Sequence, residues 1–411
     1  YTGKGFVPAI IANKVITDRS AIKYLGQEVV EKHPVVATWH LAPPSPSSID
    51  IDTTFSGEYS PFKNTRLTSG YPVVEGYKDF AAYGLRLNFS DLIMWSTLDV
   101  TASYTPNRNL PPKERLHAAL NFRYAQWNLK ATYNAASFYD LFGPTKTSRK
   151  GYSVTLQYKD FLVFDEPETM DYFFSVSRFG GLERLPEFQN VTTSFDRFLS
   201  VNGRLNYHYT LKSLGAVEDE KGIEWQLLSY NNYVNAKLFS RVLMNFDYGI
   251  LLPINHSSIW LRSSFGYSFG ERREPLANFY FGGFGNNWVD HQEARRYREF
   301  YSFPGVELNA IGGTNYGKLL LEWTLPPLRF RRFGFSTLYC NWTQLILFSS
   351  GMATNIDDDH ERRSLIDFGA QLDFRLVIFS TLESTLSLGY AVAVEKGHQT
   401  EEFMISLKLL K

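Results

Sequence analysis

The sequence predicts an all-β fold, namely a transmembrane antiparallel β-barrel of about 16 strands with a long extracellular loop inserted into its lumen. Apolar and polar residues alternate almost without error over residues 198–210, and similar alternation recurs along most of the chain. Side chains of a strand point to opposite faces with period 2, so each such segment has one apolar and one polar face. Aromatic residues make up 16% of the chain, yet its mean hydropathy is only −0.24. This combination is typical of a barrel with a polar lumen.

The composition excludes several other classes of protein. No apolar run approaches the roughly 20 residues that a membrane-spanning helix needs. The 42 basic and 42 acidic residues balance, so no basic surface for nucleic acid is indicated. The single cysteine, Cys340, excludes a disulfide framework and a multi-thiol metal site. We expect neither a cofactor nor a structural metal.

The chain divides by pattern into two parts. Residues 1–80 have mixed patterning and a proline-rich stretch at 41–48, which indicates a periplasmic lead-in and linker at the end of an upstream soluble domain. Residues 81–411 form the predicted barrel. About fifteen strand segments can be counted there, and the even strand number of single-chain bacterial barrels favours sixteen over fourteen.

The polar faces distinguish a membrane barrel from a soluble one. They are rich in Ser, Thr, Asn and Gln with scattered charges of both signs, as in a water-filled lumen, and aromatic residues cluster at the ends of the apolar stripes. We therefore expect location in the bacterial outer membrane, in contact with its lipids including lipopolysaccharide. A soluble barrel or propeller is the alternative.

Two segments carry a family resemblance. Residues 278–285 read NFYFGGFG, and residues 311–323 read IGGTNYGKLLLEW after a long loop. They resemble the C-terminal barrel of the outer-membrane assembly-factor (bacterial surface antigen) superfamily, which includes the BamA and TamA assembly factors and the two-partner-secretion transporters. The resemblance covers residues 80–411 by architecture, but by motif only 278–323 and 365–410. The lead-in at 59–92 is similar to barrels of this superfamily that follow a TolB-like propeller.

The resemblance implies a lock between the long loop and the barrel wall. In that family an Arg-Gly-aromatic tip pairs with an acidic residue inside the barrel, and glycine pairs flank the loop. The corresponding residues here are Arg298, Glu299 and Phe300, with Glu in the Gly position, and Glu322 on the wall. The flanking glycines are Gly282, Gly283, Gly312 and Gly313. In the alternative interpretation Arg298 and Glu322 are independent lumen charges.

The function predicted from these features is not enzymatic. We expect a barrel that inserts or translocates protein, or anchors an envelope complex, together with periplasmic or outer-membrane partner proteins. Its seam would join residues 82–89 to 403–410, and loop 271–308 would occupy the lumen. A passive pore is the second hypothesis. A rim hydrolase that uses His291 or His360 is the third. The acidic segment 357–361 is either a cation-binding or lipopolysaccharide-bridging site or a solvated loop tip.

Overall fold

The fold is known from a computed structural model that describes residues 31–35, 58–78, 80–134, 139–140, 147–148, 150–182, 195–290 and 292–409. The chain divides into two compact units, residues 1–59 and 60–411, and the second contains the whole sheet. Among the described residues no helix is long and apolar enough to cross a membrane.

The second unit consists almost entirely of strands. In chain order they are β1 (Arg66–Tyr77), β2 (Phe80–Ser90), β3 (Ser96–Tyr104), β4 (Leu116–Tyr124), β5 (Trp127–Tyr133), β6 (Tyr139–Asp140), β7 (Thr147–Ser148), β8 (Tyr152–Asp165), β9 (Glu168–Gly180), β10 (Phe198–Leu211), β11 (Lys221–Val234), β12 (Lys237–Leu251), β13 (Ser258–Ser268), β14 (Phe279–Phe281), β15 (Val289–Asp290), β16 (Ile311–Gly313), β17 (Asn315–Thr324), β18 (Leu328–Phe335), β19 (Leu338–Thr354), β20 (Arg363–Ile378), β21 (Leu382–Glu395) and β22 (His398–Leu409). The helical elements are short: α1 (Pro61–Asn64) and 3-10 turns at Pro112–Glu114, Pro275–Ala277 and Arg296–Arg298.

The long strands form one antiparallel meander, which makes the wall of the barrel. Each pairs with the next long strand along the chain, from β1 with β2 to β21 with β22. Both β17 and β18 pair with β19, so they are two segments of one wall strand. The break falls at Pro326-Pro327, where neither residue has an N–H to donate to a ladder. Counted this way, the described residues form sixteen wall strands, as predicted.

The connections differ between the two ends of the barrel. The four longest, at residues 105–115, 134–151, 181–197 and 269–314, all lie at one end, which we call the long-loop end. The other end holds the start of β1 and the end of β22, and we call it the termini end. Its longest connection, residues 212–220, is named here the β10–β11 loop.

The two faces of the wall differ as the alternation predicts. On β17, Leu319 and Leu321 are about half exposed on the outside, whereas Lys318 and Glu322, which precede and follow this segment, are buried on the inside. On β20, Phe368 points outward and Asp367 inward. An apolar surface on the outside and buried charge on the inside is the reverse of a water-soluble protein and suits a barrel in lipid.

The first strand lies earlier than predicted. The sheet begins with β1, inside the stretch assigned to the lead-in, so residues 82–89 belong to the second strand. Gly70, Pro72 and Gly76 interrupt the alternation of β1 and hide it in the sequence. Proline is tolerated in edge strands, and β1 is an edge strand because the described residues show it paired with β2 alone. Of the first unit only residues 31–35 and 58–59 are described, so its origin in an upstream domain stays a prediction.

The other edge of the sheet is β22, and a second segment partly covers it. Besides β21, β22 pairs in parallel with β15, through Val289 with Leu407 and Asp290 with Lys408. In the described part of the chain no ladder joins β1 to β22. The seam of the barrel therefore lies between two edge strands. One is β1, which in the described residues pairs with β2 alone, and the other is β22, which also pairs with two residues of the long loop.

If the outer face meets lipid, a charge placed on it should hinder membrane insertion. We expect Leu321→Arg to cost up to about 2–4 kcal/mol of folding free energy in lipid, depending on its depth. Leu214→Arg should be neutral, because Leu214 is fully exposed in the β10–β11 loop. Refolding into lipid vesicles, read by the mobility shift between unheated and heated samples on a denaturing gel, measures the difference. Equal refolding yields for both variants would contradict a lipid-facing wall.

Candidate functional site

The candidate site is the lumen, which is filled by the connection between β13 and β17. We call this connection, residues 269–314, the plug loop. At its base β14 and β16 form a two-stranded ladder, in which Phe279 pairs with Gly313 and Tyr280 with Gly312. Gly282 follows with φ +147°, and a Cβ there would lie 2.0 Å from the backbone oxygen of Glu307. Only glycine fits this turn, so the loop is directed into the barrel at its root.

Apolar side chains hold the plug loop against the wall in two places. Near the base, Phe281 and Phe303 are fully buried in a cluster with wall residues such as Tyr316 and Met352. Further along, the loop residues Phe284 and Tyr297 lie in a second cluster whose wall members are Leu320, Ile346, Phe348, Ala391 and Met404. Burying a large side chain of this kind contributes about 1.5–3 kcal/mol, so the loop is packed as a core.

The inner face of β21 makes room for this packing. A Cβ at Gly389 would lie 2.8 Å from the ring of Phe284, and a Cβ at Gly305 would lie 2.6 Å from the backbone nitrogen of Ala393. Small residues on both sides, Gly389 and Ala393 of the wall and Gly305 of the plug loop, therefore let the plug loop approach the strand closely.

A buried carboxylate of the wall meets an arginine of the plug loop. The Arg298 guanidinium donates from Nε to Glu322 Oε2 at 2.8 Å and from Nη2 to Oε1 at 2.7 Å. The Tyr297 hydroxyl donates to Glu322 Oε2 at 2.7 Å. Arg262 of β13 lies 3.7 Å from Oε1. Glu322 is completely buried, and two-point pairing of this kind is the strong form of a charged hydrogen bond.

A second carboxylate reaches the same arginines from the opposite end of the barrel. Glu218, in the β10–β11 loop, accepts a hydrogen bond from Arg298 Nη2 at 3.0 Å and another from Arg295. Arg295 also donates from Nε to Asp373 Oδ2 at 2.8 Å. The plug loop starts at the long-loop end, so this contact shows that it crosses the lumen. Burial opposes ionisation of Glu218, but Arg295 and Arg298 outweigh it and lower the Glu218 pKa.

The residues beside Arg298 have ordinary backbone conformations. Glu299, in the position where the resembled family has glycine, has φ −62° and ψ 149°, which any residue adopts. The Lys318 ammonium of the wall donates to its backbone oxygen at 3.0 Å. Phe300 is partly buried beside the basal apolar cluster. The structure thus brings Arg298 and Glu322 together, while Glu299 contributes its backbone and Phe300 its ring.

The plug loop also follows β22 towards the termini end. Glu402 accepts backbone N–H groups of Phe284 at 3.2 Å and Gly305 at 3.0 Å. At the β15 segment, Leu407 N–H donates to the Trp288 oxygen at 2.9 Å. Lys408 Nζ lies 3.2 Å from the Glu293 carboxylate. One loop therefore both fills the lumen and occupies part of the seam.

The remaining residues singled out by sequence lie elsewhere. Asp357 and Asp358 pair with Arg272 at 2.8 and 2.7 Å, which ties two connections together at the long-loop end. His360 lies in the same exposed loop as these aspartates. His291 and the side chain of Asp290 lie outside the described residues, so a histidine-dependent rim hydrolase remains without a described site.

Sequence reasoning missed Glu218, Asp373, Gln344 and Glu402. Strand parity places Asp373 and Gln344 on the inner face and could have nominated them. Gln344 Oε1 accepts from Arg295 at 2.8 Å. Glu218 had no such signal, because it lies in a turn and its partners are about 80 residues away along the chain.

Removing the charge of Glu322 should loosen the plug loop. Glu322→Gln removes the buried carboxylate that pairs with Arg298 and leaves this arginine with Glu218 alone, and breaking one side of a buried ion pair costs about 3–5 kcal/mol. Hydrogen–deuterium exchange in peptides that cover residues 284–305 should accelerate by about a hundredfold or more. Glu383→Gln removes an exposed carboxylate that pairs with Arg375, and it should leave that exchange unchanged. Unaltered exchange in Glu322→Gln would show that the pair does not hold the loop.

The lowered Glu218 pKa predicts resistance of the plug to mild acid. A group with a depressed pKa in the folded state stabilises it fully above the ordinary value, 4.5, and loses that contribution as pH falls through the lowered value. The Glu218 contribution, measured as the difference in loop exchange between wild type and Glu218→Gln, should therefore persist at pH 5 and shrink only below 4.5. A difference that disappears between pH 7 and pH 5 would be the opposite result.

No protein-family model matches the chain, and no curated protein matches it. Among solved structures, CdiB from Acinetobacter baumannii aligns with a TM-score of 0.42 and 12% sequence identity over 83% of this chain. The chain spans 59% of the length of CdiB.

Proposed function

We propose that this chain is an outer-membrane barrel of the translocator or insertion type, whose lumen is closed by its plug loop until a polypeptide substrate or a partner protein displaces it. The observation that carries the proposal is the ionic contact of Arg298 with both Glu322 and Glu218, because it fastens the loop to the wall and to the far end of the barrel at once.

The manner of attachment supports a reversible closure. A passive pore needs an open lumen, whereas here the loop packs two apolar clusters and a charged cluster across it. Charged pairs in a lumen can exchange their partners for water when the loop leaves, so release does not require unfolding of the wall.

The contacts along β22 support a link between lumen and seam. The β15 segment occupies the edge of β22 at Leu407 and Lys408. Nearer the long-loop end of the same strand, the Glu402 carboxylate accepts a hydrogen bond from the backbone of the plug loop. An unpaired strand edge is a ready template for an extended polypeptide. Displacement of the plug would therefore free both the lumen and this edge, which fits either translocation through the barrel or insertion at its seam.

The proposal predicts low conductance that rises when the ionic contacts are removed. In planar bilayers the wild type should show small, rare openings. Arg295→Ala with Arg298→Ala should give large and long-lived openings, because Glu322, Asp373 and Glu218 then lose their partners in the loop. A large steady pore in the wild type would contradict the proposal and favour the passive pore.

A reversible tether supplies the control. Val289→Cys and Leu407→Cys, which face each other in the β15–β22 ladder, should form a disulfide in a Cys340→Ala background. Added to the two arginine substitutions, the oxidised tether should restore low conductance and reduction should release it. Persistent large openings in the oxidised protein would show that the pore does not depend on the plug loop.

A further inference from the structure

A histidine and two carboxylates meet on the inner face of the barrel, apart from the contacts of the plug loop. His208 on β10 and Glu224 on β11 are direct partners across the ladder, and His208 Nδ1 lies 3.1 Å from Glu224 Oε1. Asp219 of the β10–β11 loop joins them, and ligand atoms of the three residues lie within 4.8 Å of one another. All three line a lumen cavity of about 850 Å³.

The hydrogen bonds around Thr210 determine which imidazole nitrogen carries the proton. Thr210 Oγ1 lies 2.9 Å from Asp219 Oδ2 and 2.9 Å from His208 Nε2. An ionised carboxylate only accepts, so the hydroxyl donates to Asp219 and accepts from Nε2–H of His208. In the neutral imidazole, Nδ1 is then an unprotonated acceptor that faces a carboxylate oxygen. Two acceptors at 3.1 Å repel unless a proton or a metal ion lies between them.

The charges nearby favour a cation at this point. Two other carboxylates on the cavity wall have cationic partners: Asp247 pairs with Arg262 and Asp171 with Lys159. In the described part of the chain, Asp219 and Glu224 pair with no lysine or arginine. The cavity admits water, so an ion can reach the three ligands.

We propose that His208, Asp219 and Glu224 bind a divalent transition-metal ion of the zinc type. One imidazole nitrogen and two carboxylate oxygens are ligands that suit Zn²⁺, Mn²⁺ or Fe²⁺ better than Ca²⁺, which prefers oxygen alone. The 3.1 Å separation of Nδ1 and Oε1 is close to the roughly 3.4 Å between neighbouring ligands of a tetrahedral ion with bonds of about 2.1 Å. The Nε2–H bond to Thr210 is the kind of outer contact that orients a metal-binding histidine.

The ion would also act on the plug. Asp219 is adjacent to Glu218, which holds Arg295 and Arg298. Metal binding at Asp219 would fix the β10–β11 loop in the position that presents Glu218 to these arginines. The binding itself goes beyond the proposed function, whereas this effect on the plug rests on it.

Metal affinity tests the site directly. The full chain in detergent should compete with a chromophoric chelator for one Zn²⁺ per molecule, and Ca²⁺ should not displace the ion. His208→Ala should weaken Zn²⁺ binding at least tenfold, and Asp219→Asn should weaken it too. His398→Ala, in β22 at the long-loop end, is the control and should bind as the wild type does. Equal affinity in wild type and His208→Ala, or no binding by the wild type at micromolar Zn²⁺, would overturn the site and leave a proton between Nδ1 and Glu224.

Conductance separates the site from its coupling. Zn²⁺ should make openings rarer in the wild type and have no effect in His208→Ala. Glu218→Ala should keep the Zn²⁺ affinity but lose the effect on conductance. If Zn²⁺ binds the wild type without changing its openings, the metal site stands and its coupling to the plug is refuted. If the wild type does not bind Zn²⁺, but its conductance is low and rises with the two arginine substitutions, the metal site is refuted and the proposed function stands.

Discussion

The structure depends on keeping one carboxylate ionised inside the barrel. Glu322 is completely enclosed on the wall, where an unpaired charge would cost several kcal/mol. Its two-point counter-charge, Arg298, is supplied by the plug loop, whereas Arg262 of the neighbouring strand lies farther away, at 3.7 Å, so the wall carries a charge whose closest partner is in the plug. In the open state of the proposed function, water would replace the arginine beside Glu322. The Glu322 charge is therefore stabilised both when the plug loop is in place and when water fills the lumen. It would be unstable only in a barrel that had neither the loop nor water inside.

The apolar contacts act differently from the charged ones. Phe281, Phe284 and Phe303 of the plug loop are buried against the wall, and exposing such rings to water is unfavourable. A displacing polypeptide would therefore need apolar residues of its own to occupy the wall surface around Gly389, or would have to provide another surface for these rings. The closed state is stable because both kinds of contact must be replaced together.

The sequence predicted the wall well because alternation is local information. Glu322 could be placed inside from Leu321 and Trp323 alone, and both neighbours are exposed. The first strand was missed because Gly70 and Pro72 break its period, and an edge strand is where such residues are tolerated. The sequence pattern did not predict contacts between loops: Glu218 and Arg295 are far apart in sequence and belong to loops from opposite ends of the barrel, so only the folded plug loop brings them together.

Glu299 shows that a changed motif can keep its geometry. The backbone there has φ −62°, so no left-handed turn requires glycine, and the contact that the wall makes is to the backbone oxygen through Lys318. Any side chain could occupy the position without moving Arg298. What the glutamate changes is the charge that faces the lumen beside Arg295 and Arg298. The departure from the resembled motif therefore leaves the Arg298–Glu322 contact intact.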